Sequence, residues 1–156
     1  MTTIFGITIF AAFVYGGHSY LGPDVADRVA LRRELHMDLD LMVTSLSLFK
    51  QESHGQNALA LSQDLAPYLA HYLPNEQIPQ RELKGTLLTW QGGNSKLCLK
   101  ATDATAVSPP VMMVLLNLEK EINRDGHWTA TSGPECNVSE PLQDPSTTLA
   151  LTIDLG

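Results

Sequence analysis

The sequence predicts an α+β fold: an N-terminal apolar anchor helix, then a domain ordered α-α-β-β-α-β-β with an antiparallel sheet. Three observations carry this. Apolar residues recur at steps of three and four between Asp24 and Lys50, and again between Val111 and Ile122, which is the period of a helix with one buried face. Between Lys96 and Thr102, and between Thr147 and Leu155, residue character alternates instead, which is the period of a strand. Elements in that order suit helices gathered on one face of an antiparallel sheet.

The chain has 156 residues, room for one core. It divides into a membrane anchor at 1–22 and an exported domain at 23–156. From Thr3 to Tyr15 the sequence TIFGITIFAAFVY carries no charge. With Gly16 to Leu21 it reaches the roughly 20 residues that span a hydrocarbon core as a helix. Tyr15 and Tyr20 suit the interface. A cleaved signal peptide and a buried element are the alternatives, the latter because Thr2, Thr3, Ile4, Ile7, Thr8 and Ile9 are β-branched. Arg28, Arg32 and Arg33 follow the segment, and by the positive-inside rule they alone would hold the domain in the cytoplasm. Asp24 and Asp27 dilute that charge, and a pair of cysteines suits an oxidising compartment. The expected location is therefore a bacterial inner membrane with the domain in the periplasm.

Gly22-Pro23 opens the first helix, with Pro23 in its first turn. Leu35, Leu39, Met42, Leu46 and Phe49 form its seam, and Leu31, Leu41, Val43 and Leu48 widen the stripe. His54 to Asn57 reads as a loop. A second helix is expected from Asn57 to Leu73, with Pro67 kinking or restarting it and Pro74 stopping it. Glu82–Gln91 and Lys96–Thr102 read as a hairpin around Gly92-Gly93-Asn94-Ser95. Lys96, Cys98 and Lys100 point one way, Leu97, Leu99 and Ala101 the other. Lys84 and Trp90 share a face with Thr86 and Leu88, so the alternation in the first of these strands is imperfect. Ser108 is the expected N-cap of a third helix starting at Pro109. Val111, Val114, Leu115, Leu118 and Ile122 line one face of it, and Asp125-Gly126 ends it. HWTATS from His127 to Ser132 and TTLALTIDL from Thr147 to Leu155 are the last strands. A polar loop carrying Cys136 separates them.

The formal charge is −7 and no basic stripe is present, which excludes a nucleic-acid partner. The histidines, His18, His36, His54, His71 and His127, lie far apart, and none has a second histidine one helical turn away, so no metal site is expected. There is no G-x-S-x-G, P-loop or G-x-G-x-x-G pattern. Asp38 and Asp40 are two apart on a helix and face different ways. The catalytic alternative is a Cys-His hydrolase with Cys98 as nucleophile and His127 as base. Cys98 lies mid-strand among leucines, where a structural sulfur is commoner. The expectation is no catalytic residues, no cofactor and no enzyme activity. Cys98 and Cys136 are expected to form a disulfide, on export and an even cysteine count. Asn137-Val138-Ser139 matches the glycosylation acceptor pattern.

An uncharged apolar segment followed by a helix and a small domain, with the hairpin TLLTWQGGNSKLCLK and the closing HWTATSGPECN, resembles the small PilM proteins of type IVB (thin) pilus operons. Members of that family are inner-membrane components of the pilin transport and basal-body apparatus. The resemblance implies a non-enzymatic scaffold whose partners are other pilus assembly proteins or pilin subunits. Met37, Leu41 and Leu48, on the wide apolar stripe of the first helix, are the candidate partner surface. The runner-up is a minor pilin or pseudopilin: an apolar segment running into an amphipathic helix, then a sheet stapled by a C-terminal disulfide. Phe5 stands where a pilin usually has Glu.

Overall fold

A computed structural model of the protein describes residues 23–52, 65–93, 95–142 and 146–156. The expected anchor at 1–22, the loop at His54–Asn57 and the first part of the expected second helix lie outside these residues.

Helix α1 (Pro23–Glu52) runs for 30 residues, about 45 Å at 1.5 Å per residue. Asp24 in its first turn and Lys50 in its last complement the helix dipole. Leu31, Leu35, Leu39, Met42 and Leu46 are buried along one face, with Phe49 half-buried. The expected seam thus holds and gains a turn at Leu31. Residues 24–30 include none that is buried, so the helix starts beyond the reach of the core.

Within the described residues, the expected helix restarts beside Pro67 and tightens before Leu73. Helix α2 (Ala66–Leu69) is one turn long and passes into a 3₁₀ turn over Ala70–Tyr72. Pro67 sits in the first turn of α2, where its missing N–H costs nothing. Pro74 forces Leu73 into an extended conformation, φ −102° and ψ 146°. Leu65, Leu69 and Leu73 are buried against the main core.

Five strands form the sheet: β1 (Arg81–Leu83), β2 (Thr86–Gly92), β3 (Lys96–Thr102), β4 (Thr129–Gly133) and β5 (Thr148–Asp154). Their order is β1-β2-β3-β5-β4, each neighbouring pair antiparallel. The single strand expected at Glu82–Gln91 is two, folded back at Lys84-Gly85. Both turn residues have positive φ, 51° and 83°, the conformation of a two-residue hairpin turn that follows the strand twist. This also explains the imperfect alternation, because Lys84 belongs to the turn and not to a strand. The strand expected from His127 begins at Thr129 and takes in Gly133. Gly126, at φ 75°, caps the preceding helix, and Asn123 holds the start of β4. Asn123 Nδ2 donates to Ala130 O at 2.9 Å, and Ala130 N–H donates to Asn123 Oδ1 at 2.8 Å.

Helix α3 (Pro109–Asp125) buries Val111, Val114, Leu115, Leu118 and Ile122, the face read from the sequence. Ser108 has the extended backbone of an N-cap, but its side chain makes no capping bond. Its N–H instead donates to Thr86 Oγ1 at 3.0 Å, because β2 passes close beneath the helix start.

Strands β3 and β4 are both antiparallel to β5, so they run parallel to each other, and α3 carries the chain between them. Helices α1 and α3 cover the front face of the sheet, where Leu88, Trp90, Leu97, Leu99, Leu149, Leu151 and Ile153 join the helical leucines in one core. The back face carries Lys96, Cys98, Lys100, Ala150 and Thr152. A strap at 134–140 crosses it, tied by the Cys98–Cys136 disulfide. Lys100 Nζ donates to Glu135 Oε2 at 2.8 Å, and Asn137 N–H donates to Thr152 Oγ1 at 2.7 Å. Gly133 lets the strap lie down: a Cβ there would stand 1.6 Å from Val138 O.

Candidate functional site

A cleft of about 1050 Å³ opens between the middle of α1, the end of β2 and an arm formed by Pro74–Gln80. Its floor is an ion pair. Asp38 projects from α1 and is only 3% exposed. Arg81, the first residue of β1, grips it with both sides of the guanidinium: Nε donates to Oδ2 and Nη2 to Oδ1, each at 2.8 Å. Arg81 Nη1 also lies 3.7 Å from Glu34 Oε2. The hydrogen bonds to Asp38 push the Arg81 guanidinium above its ordinary range, so it stays charged. A bidentate pair of this kind fixes geometry as well as charge. It holds the β1 end of the arm against α1.

The arm turns sharply at Asn75 and Glu76, both with positive φ, 57° and 54°. It then runs extended through Gln77, with φ −126° and ψ 136°. Gln77, Gln80, Thr89 and Gln91 give the walls amide and hydroxyl groups, while Leu41, Ile78 and Trp90 supply apolar surface. Asp38 and Arg81 were missed in the reading of the sequence. They are 43 residues apart, and no local pattern links them. The one signal available was that Asp38 falls between Leu35 and Met42 on the side of the buried seam.

The predicted surface residues lie on one flank of α1. Met37 is 63% exposed and Leu48 is 40% exposed, while Leu41 is half-buried, packs against the core and borders the cleft. Cys98 and Cys136 are bonded to each other. The Cys98–His127 arrangement of a hydrolase is therefore not formed: the sulfur has no thiol to ionise, and His127 is exposed ahead of β4. His36 Nε2 lies 2.8 Å from Glu121 Oε2, and Arg32 pairs with the same carboxylate, joining α1 to α3. Asp40 is exposed and apart from Asp38. Among the described residues no group of three His, Cys, Asp or Glu side chains could hold a metal ion. Among them, too, no helix is long and apolar enough to cross a membrane.

When the chain is compared with protein-family models, with curated proteins and with solved structures, nothing matches.

Proposed function

We propose that this chain is a non-enzymatic assembly component of a type IV pilus apparatus. Residues 1–22 hold it in the inner membrane, and the domain at 23–156 stands in the periplasm and presents a surface to pilin subunits or other assembly proteins. The observation that supports this most is the disposition of α1. It follows directly on the apolar segment, starts beyond the core, and leaves Met37 and Leu48 exposed beside Leu41 on one flank. Apolar side chains aligned on a helix flank suit contact with a partner helix or subunit. The disulfide is in keeping with an oxidising compartment.

The test is a Met37→Glu, Leu48→Glu double variant in the native host, chosen because both side chains are exposed and the fold should tolerate the charges. The expected result is loss of pilus assembly while the protein remains folded and membrane-bound. Normal piliation would remove this surface from the proposal. A topology reporter fused after Gly156 tests the compartment.

One observation favours the second reading, a minor pilin subunit. A single long helix leaves the apolar segment and lies along an antiparallel sheet stapled by a disulfide, the plan expected of such a subunit. Fractionation separates the two: a subunit appears in sheared filaments, and a basal component stays with the membrane.

A further inference from the structure

The edge of β2 beside the cleft is left open by a proline. The two-residue turn at Lys84-Gly85 makes Leu83 and Thr86 a hydrogen-bonded pair, and such pairs alternate along an antiparallel ladder. Arg81 and Leu88 are the next hydrogen-bonded pair on that side. On the other side of β2, Gly93 N–H donates to Lys96 O at 2.9 Å. The same alternation then makes Gln91–Cys98 and Thr89–Lys100 the hydrogen-bonded pairs with β3. Both ladders agree that Trp90 turns its N–H and C=O away from β3 and towards the cleft.

One more step of the β1 register would bring Pro79 opposite Trp90. Proline has no N–H for the Trp90 carbonyl, and β1 ends at Arg81. Among the described residues, the Trp90 backbone has no hydrogen-bond partner on the cleft side, although the residue is only 5% exposed. These two groups face the cleft, where the N–H and C=O of a bound chain can pair with them. Arg81, paired with Leu88, closes one end of this open stretch. The opposite wall, Gln77–Gln80, forms no ladder with β2.

Charge narrows the occupant. Among the described residues, Arg81 is the one cation lining the cleft, and both arms of its fork that reach Asp38 are already used. Glu76, on the exposed turn of the arm, remains as an acidic group lining the cleft. We propose that the cleft binds a short extended segment of a partner protein, which bridges Trp90 through its own N–H and C=O and extends a Lys or Arg side chain towards Glu76. This rests on the reading of the chain as an assembly component, and names how one partner would be held. Strand addition of this kind takes affinity from the main chain and selectivity from the side chains beside it.

The probe is a random heptapeptide library selected against the full chain in detergent with its disulfide intact. Enriched peptides should carry a basic residue. The strongest, made synthetically, should slow hydrogen exchange at the Trp90 amide at least tenfold, and N-methylation of its central residue should weaken binding at least tenfold. Pro79→Thr, which supplies the missing N–H and lets β1 reach Trp90, should protect that amide without any peptide and abolish peptide binding. Pro79→Ala should do the same, and circular dichroism establishes that each variant is folded. The proposal is overturned if no peptide is enriched, if the enriched peptides are acidic, if N-methylation has no effect, or if either Pro79 variant binds as well as the native chain. Loss of binding in the Pro79 variants supports the cleft whatever happens to piliation. Normal piliation in the Met37→Glu, Leu48→Glu variant counts against the assembly surface whatever the peptide does.

Discussion

The two faces of the sheet are buried by different means. On the front, Leu97, Leu99, Leu149, Leu151 and Ile153 meet the leucines of α1 and α3, and burial is a matter of apolar area. On the back, Cys98 and Thr152 are buried nearly as completely, yet among the described residues no helix lies there. A strap of seven residues does the covering, held by one covalent bond, a Lys100–Glu135 pair and a hydroxyl at Thr152. A non-directional attraction tolerates many arrangements, whereas the strap depends on a few atoms standing in one place. The front should therefore yield gradually to substitution and the back should fail at single groups.

The largest effect is expected from removing the covalent tie. Cys98→Ser with Cys136→Ser opens a loop of sequence separation 38 and should cost about 4 kcal/mol by the chain-entropy relation. Denaturant unfolding of the double variant measures it, and hydrogen exchange should show back-face amides of β5 losing protection before the front does. Equal loss on both faces would erase the distinction. Next comes the front itself. Leu99→Ala, at a fully buried position, should cost about 3 kcal/mol, read from the denaturation midpoint at unchanged slope. A value as small as that of a surface substitution would mean the front is not close-packed.

A smaller change isolates the non-covalent part of the back. Thr152→Val keeps the shape but removes the oxygen that accepts from Asn137 N–H, and should cost about 1 kcal/mol. Asp103, at the junction where β3 leaves for α3, gives the smallest and most selective effect. The Thr105 N–H foremost, then the Thr86 hydroxyl, hold its carboxyl below the ordinary carboxylate range. A depressed carboxyl adds stability that is fully present above the unfolded value of about 3.9 and is lost as pH falls through the folded value. Acid unfolding of Asp103→Asn should accordingly be less steep below about pH 4 than that of the native chain. An identical acid limb would show that the Asp103 network contributes nothing.

Much of the fold is legible in the sequence. The seam of α1, the apolar face of α3 and the alternation of β3 and β5 are local periods, and a local period states which side of an element seeks the core. The hairpin turn at Gly92-Gly93 and the stop at Gly126 are equally local, since backbone chemistry sets them. The Lys84-Gly85 turn was visible only as a fault in the alternation, because one lysine and one glycine are a weak turn signal. The brevity of α2 was hidden as well: Leu61, Leu65, Leu69 and Tyr72 keep a helical spacing, whatever the backbone does between two prolines.

The sequence by itself determined the helical or extended character of α1, α3, β3 and β5 and which of their faces are apolar. Only the tertiary structure decided that β5 slots between β3 and β4, that Asp38 meets Arg81, and that the strap folds over Cys98 rather than away from it. The physical reason is range. Backbone conformation and amphipathic period are set within one or two turns of chain, while the partner of a strand or of a charge is chosen by the whole core when it closes. That choice leaves no mark on the residues between the partners.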